Sequence, residues 1–131
     1  MKHLHKRDDL IYPELSYKVI GCAFDVYNEL GFGHHENAYQ RSISLALKNS
    51  GIHFKEQVFS PLLYKGNVVG RRYFDFLVEE KLIVELKKDH RFSKQHIDQV
   101  KEYLCRSGLK LALLINFTKT KVEYMRVLNL Y

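Results

Sequence analysis

Apolar residues recur along this chain in two rhythms. Behind Pro13, a residue suited to a helix's first turn, Leu15, Val19, Cys22, Ala23, Val26 and Leu30 fall three or four apart, the spacing of one buried helix face. That helix should stop at Gly31 and Gly33. A second helix is expected from about His35 to Asn49, ending at Gly51, with Tyr39, Ile43, Ala46 and Leu47 turned inward. The rhythm then changes. "IHFKEQVF" reads as a strand broken by Pro61, and "LLYKGNVVG" as a strand, a Lys65-Gly66-Asn67 turn and the start of a further strand that runs to about Val78. Leu82–Lys87 is the next strand. A third helix covers roughly Ser93–Ser107, with Ser93 as N-cap and Gly108 past its end. "KLALLINF" is almost uninterruptedly apolar, as a central strand covered on both faces should be, and "VEYMRVLN" supplies the last strand.

The order is therefore α-α-β-β-β-α-β-β, an α/β (mixed α+β) class with a mixed sheet flanked by helices. The 131 residues suffice for one domain with a real core. Residues 1–12 are expected to form a flexible tail and 13–131 the domain. "MKHLHKRDDL" has charges but no apolar run behind them, unlike a signal peptide, and no segment has the length of a membrane span. Cys22 and Cys105 lack metal-ligand spacing and are too few for a disulfide framework, which suits a reducing cytoplasmic setting.

Two strands carry charges that burial should penalise. In "FDFLVEEKLIVELKK", residues 74–88, Asp75 interrupts the first and Glu85 and Lys87 the second. Alternation puts Glu85, Lys87 and Ile83 on one face and Val84 and Leu86 on the other; Asp75 shares a face with Tyr73 and Leu77. A hairpin centred on Glu80 brings Asp75 opposite Glu85, whereas a two-residue turn at Glu80-Lys81 brings it opposite Leu86 and separates the carboxylates. The first register makes a site. Two buried carboxylates repel, and a hard divalent cation relieves that repulsion. Mg²⁺, or Mn²⁺ as a substitute, is held by one or two carboxylates, waters and phosphate oxygens, while a neighbouring lysine serves a water attacking a phosphodiester. A bare Glu-x-Lys is common by chance; Asp75 at the right distance within apolar strands gives it meaning.

Charge distribution agrees with a polyanionic partner. Residues 1–80 hold ten Lys/Arg and ten Asp/Glu, and residues 81–131 hold eleven against five, so the whole net charge of +6 lies in the second part. Lys88, Arg91, Lys94 and Lys101 flank the charged strands and are the candidate nucleic-acid contacts. Glu36, at the start of the second helix, lies in line with Ile43 and Leu47 and could complete the acidic site, although an acid there also complements the helix dipole. Gln99 and Tyr103 share a face of the third helix with His96, beside a stripe of Ile97, Val100 and Leu104. A zinc site from His3, His5, His34 and His35 is disfavoured, because these ligands are poorly preorganised and no cysteine is suitably spaced.

With those positions in place, the chain resembles the PD-(D/E)XK nuclease superfamily, and within it the small bacterial GxxExxY proteins. The naming motif stands as Gly33-His34-His35-Glu36-Asn37-Ala38-Tyr39; "VIGCAFDVYNELGFG", "YKGNVVGRRYFDFLVEEKLIVELKK", "QVKEYL" and "GLKLALLINF" are similar in order and spacing, from about Leu15 to Phe117. The resemblance implies a restriction-endonuclease-like core, Asp75 and Glu85 as metal-binding carboxylates, Lys87 as catalytic lysine, Glu36 as the helix glutamate completing the site, and Gln99 with Tyr103 as a Gln-x-x-x-Tyr pattern. Phe74 stands where the superfamily's name has proline. The expected activity is metal-dependent hydrolysis of nucleic acid, DNA favoured; the alternative is a catalytically silent module of the same fold that binds nucleic acid or a protein. A single site cuts one strand at a time, so duplex cleavage calls for a homodimer or two visits.

Overall fold

The structure is a computed structural model that describes residues 11–89 and 91–129. Helix α1 spans Pro13–Leu30 and α2 Glu36–Asn49; strands β1 (Phe54–Tyr64), β2 (Asn67–Val78) and β3 (Leu82–Lys88) follow, then α3 (Lys94–Ser107), β4 (Leu111–Phe117) and β5 (Val122–Leu128). The five strands form one sheet in the order β1-β2-β3-β4-β5. Neighbours are antiparallel except β3 and β4, which are parallel and joined through α3, as parallel strands must be joined by a crossover. No helix among the described residues is long and apolar enough to cross a membrane.

Two cores lie on the two faces of the sheet. Val19, Ala23 and Val26 of α1 and Tyr39, Ile43 and Leu47 of α2 pack with Phe76, Val84, Leu86, Leu113 and Ile115 on one face. Val100 and Leu104 of α3 pack with Phe74, Ile83, Ala112, Leu114 and Val127 on the other. Every residue of β4 is buried, which explains its continuous apolar run. Truncating a fully buried leucine such as Leu113 to alanine should cost about 2–5 kcal/mol. Of the expected N-terminal tail, residues 1–10 lie outside the described residues, while Ile11 and Tyr12 are half-buried against the first core.

The expected break at Pro61 is corrected: β1 runs through it, pairing Pro61 with Arg71. As an edge strand β1 has half its N–H groups facing outward, so a residue without one is tolerated there. The hairpin turn is Lys65-Gly66, both at positive φ (49° and 80°), the geometry of a two-residue turn.

Tyr39 fixes the entry to α2. Its ring stacks on Phe117, with centroids 4.4 Å apart, and its hydroxyl donates to the Gly31 carbonyl at 2.5 Å. The loop between α1 and α2 is thereby clamped to the end of β4. Gly33 within it has φ 106°, a conformation costly for any residue with a Cβ.

Candidate active site

A three-residue connection, Glu79-Glu80-Lys81, joins β2 to β3, with Val78 paired to Leu82, Leu77 to Ile83 and Phe76 to Val84. Glu79 and Glu80 adopt positive φ (52° and 58°) to make this odd-length turn. The register therefore carries Asp75 opposite Glu85.

Regular pairing ends just there. Beyond Phe76 and Val84 the two strands no longer exchange ladder bonds, and side chains take over. The Asp75 backbone N–H donates to Glu85 Oε1 at 2.8 Å, and the Leu86 N–H donates to Asp75 Oδ2 at 2.7 Å. On the other side of β2, Glu56 pairs with Phe76 and Val58 with Phe74, while Gln57, opposite Asp75, sits at φ 55°. Phe74 and Phe76 share alternation parity yet pack in different cores. Asp75 thus occupies the position where β2 peels away from β3, and the gap between the strands holds the carboxylates.

Glu85 is only 9% exposed and Asp75 half-buried. Burial drives the Glu85 carboxyl up to about 9, and the neighbouring Asp75 charge pushes the same way; Lys87 opposes weakly. Burial also raises Asp75, against hydrogen bonds from the Leu86 N–H and from Glu85, with the charges of Glu36 and Glu56 adding to the rise. At neutral pH the pair shares a proton held chiefly by Glu85.

His96, on α3, presents Nε2 at 3.4 Å from Glu85 Oε2. The alignment is not that of a hydrogen bond, and Nε2 is buried with no hydrogen-bond partner among the described residues. Burial, then the Lys87 charge, lowers the His96 pKa. A neutral imidazole beside a protonated carboxyl is not an ion pair at neutral pH. The Ser93 side chain caps α3 by accepting from the His96 N–H at 3.0 Å, and this fixes the first turn that carries His96 to the site.

The remaining candidates divide. Lys87 is half-buried on the Glu85 face, and its charge is felt by both Glu85 and His96. Lys88 turns to the opposite face, its Nζ 5.9 Å from the centre of the Phe32 ring. Glu36 is exposed at the first residue of α2, close enough to act on Asp75 through its charge. Tyr103 packs edge-on against Phe74, with centroids 5.1 Å apart, so it buttresses β2 beside Asp75. Gln99 borders a separate groove with Arg72, Lys94, Asp98 and Glu102. Lys94 is exposed and tied to Asp98 at 2.8 Å; Arg91 and Lys101 are exposed. Of the histidines weighed for zinc, His3 and His5 lie outside the described residues, and His34 Nε2 contacts the Leu30 carbonyl at 2.9 Å. Cys22 and Cys105 are free thiols.

Two polar groups at the site carried only weak sequence signals. His96 was legible as a neighbour of Gln99 and Tyr103, but not as a partner of Glu85. Asn116, the lone polar side chain in "LALLINF", is the cross-strand partner of Lys87.

The donor set suits a hard cation in part. Asp75 and Glu85 each commit one oxygen to a backbone N–H across the gap, which leaves Asp75 Oδ1 and Glu85 Oε2. The orphaned His96 Nε2 faces the latter. Among the described residues no three such side chains form a ready-made cluster, so a bound ion would draw ligands in or complete its shell with water and substrate oxygens.

Comparison with known proteins bears on the fold and the family. No curated protein shows significant sequence similarity. Among solved structures, one titled "Crystal structure of SSO0001" superposes with a TM-score of 0.51 at 15% identity, over 72% of this chain and 50% of the other, a likeness of fold. The chain spans half the length of that protein. A family model described as the PD-(D/E)XK nuclease superfamily matches residues 13–127, which takes in both helices of the first core, the carboxylate pair, α3 and all five strands but for the last residue of β5; the chain belongs to the PD-(D/E)XK nuclease superfamily.

Proposed function

We propose that this protein is a divalent-metal-dependent nuclease that hydrolyses phosphodiester bonds, with DNA the favoured substrate and the cytoplasm its setting. The observation that carries this reading is the buried Asp75–Glu85 pair at the point where β2 and β3 part, with Lys87 beside it. Such a pair is costly without a cation, and superfamily members generally use divalent metals.

Asp75 and Glu85 would hold the ion, with Glu36 and His96 as further donors. A bound cation would supply charge stabilisation at the phosphoryl group and a more acidic water. The chain does the rest. Asp75 and Glu85 fix the site between the strands, since each is itself held by a backbone N–H of the opposite strand. Lys87 donates from the same face to the attacking water or to the charge that develops on phosphate oxygens. Tyr103, packed on Phe74, holds the strand that carries Asp75. Arg91, Lys94 and Lys101 form a basic surround for the phosphate backbone, while Lys88, turned to the opposite face, contributes least. A homodimer would present two such sites to the two strands of a duplex.

The second reading, a silent nucleic-acid or protein-binding module, has one observation in its favour: no three-ligand cluster is preassembled among the described residues. Incubation of the pure protein with single-stranded DNA, duplex DNA and RNA, in Mg²⁺, Mn²⁺ or EDTA, separates the two. Metal-dependent cleavage that Asp75→Asn abolishes supports the nuclease. No cleavage in any combination gives the lead to the binding module.

A further inference from the structure

Asn116 lies on the central strand β4 as the partner of Lys87, and alternation puts it on the same sheet face as Lys87 and Glu85. Only 5% of it is exposed, and its Oδ1 is buried with no hydrogen-bond partner among the described residues. An orphaned acceptor on a buried amide is costly unless something outside the chain answers it. It borders a cavity of about 660 Å³ at the end of the sheet. Arg91, Phe92, Lys121, Tyr124 and Met125 line the same space. Phe92 is half-buried against the α3 core, and Met125, paired with Leu114 and so on the face of Asn116, is exposed. Lys121 is tied to Glu123 at 3.6 Å, whereas Arg91 forms no ion pair among the described residues.

Each property selects an occupant. The volume falls in the range of small-ligand sites and exceeds what a single phosphate needs. The apolar and aromatic lining suits a flat ring. The amide offers both hydrogen-bond senses, as a base edge requires. A cation at the rim suits a backbone phosphate. A base stacked within a duplex cannot enter such a cavity, because its pairing edge is occupied and its faces are covered. We propose that this cavity is a nucleobase subsite that takes one unpaired base next to the scissile phosphate, with Asn116 reading the base edge, Phe92 supplying a ring contact and Met125 an apolar one. The substrate is then single-stranded nucleic acid or a duplex with an extruded base. This assignment rests on the nuclease reading for the phosphate beside Lys87, and extends it to a substrate class.

The test is an abasic scan. Fluorescence anisotropy would measure binding of a labelled single-stranded DNA and of a series in which successive nucleotides lack the base, in Ca²⁺ and again in EDTA. One position should weaken binding about tenfold when its base is removed. Asn116→Leu and Met125→Ala should each shrink that penalty to under about threefold, and should change affinity for the abasic strand much less than affinity for the intact one. Met125 is exposed, so its substitution spares the fold even if Asn116→Leu does not. The fully paired duplex should bind more weakly than the single strand. A flat scan, a penalty unmoved by both substitutions, or no binding to the intact strand overturns the subsite. Metal-dependent cleavage alongside a flat scan would sink the subsite and spare the nuclease. A base-sensitive position without cleavage in any metal would do the reverse.

Discussion

The backbone N–H of Asp75 is bonded to Glu85 Oε1, 2.8 Å away, in place of a sheet partner. Two acids that would repel in water are thus built into the edge of a strand gap, and Leu86 returns the favour to Asp75. The arrangement trades a ladder bond for a fixed pair of oxygens. Its consequences for stability, metal binding and cleavage can each be measured.

Stability should fall as pH rises in the metal-free protein, and Glu85 should be a main cause. Its folded pKa, about 9, stands above the ordinary 4.5. Between those values the folded protein keeps a proton that the unfolded chain has released, so unfolding free energy declines with pH. Asp75, also raised, acts in the same direction. His96, lowered, acts the other way but only below its ordinary 6.5. The clean window is from about pH 7 to about pH 8.5. There Glu85→Gln in EDTA should flatten the decline and raise Tm at the alkaline end, at roughly 3–6 °C per kcal/mol recovered. Thermal scans at several pH values check this, and identical slopes for the two proteins would exclude Glu85 as the titrating group.

Metal binding should displace the shared proton. An ion at Asp75 and Glu85 needs the deprotonated carboxylates, so affinity should rise with pH toward 9 and protons should be released. Calorimetry with Mn²⁺ in two buffers of different ionisation heat reads the release directly. His96 adds a nitrogen donor, which favours Mn²⁺ over Mg²⁺. His96→Ala should therefore weaken Mn²⁺ by about tenfold and Mg²⁺ by less, narrowing the preference. If the Asp75→Asn, Glu85→Gln double variant binds Mn²⁺ as well as wild type, the ligands lie elsewhere.

The sequence made much of this legible because strand alternation is a strict rule. Glu85 and Lys87 two apart on an apolar strand could only share a face, and Asp75 joined them once the β2–β3 connection was odd in length. That length was not readable with certainty, because Glu79 and Glu80 in left-handed conformation are unusual choices for a turn. Pro61 misled for the opposite reason: proline breaks inner strands, and nothing local announces that a strand lies at the edge. The contact of His96 with Glu85 was hidden because it depends on how α3 crosses the sheet, a tertiary fact with no local signature. Gln99 shows the same limit, one turn along the helix yet facing a different groove.

Nucleic-acid affinity should fall steeply with salt, because the basic excess lies after residue 80. Arg91 and Lys101, both exposed, should each lower the magnitude of the salt slope by about one when replaced by alanine. Lys94 should matter less, since Asp98 already neutralises it at 2.8 Å. Lys88, whose ammonium lies by the Phe32 ring on the other face, should matter least. Affinity flat in salt would point to a protein partner.

The decisive comparison for catalysis is between adjacent lysines. Lys87 projects on the face of Glu85, and Lys88 on the face of Phe32, so the two differ in position while sharing charge and stem. If Lys87 serves the attacking water or the developing phosphate charge, its contribution belongs to the transition state. Lys87→Ala should then lower kcat by on the order of a hundredfold or more while the Kd for uncleaved nucleic acid changes little. Lys88→Ala should cost less than about threefold in kcat. Single-turnover cleavage with Mn²⁺, set beside binding in Ca²⁺, measures both quantities for each variant. Folding must be checked by thermal melting, because Lys87 is half-buried and its charge stabilises the ionised form of Glu85. Equal cleavage by wild type and Lys87→Ala would mean that the chemistry occurs at another site, and the Asp75–Glu85 gap would then be read as a binding feature alone.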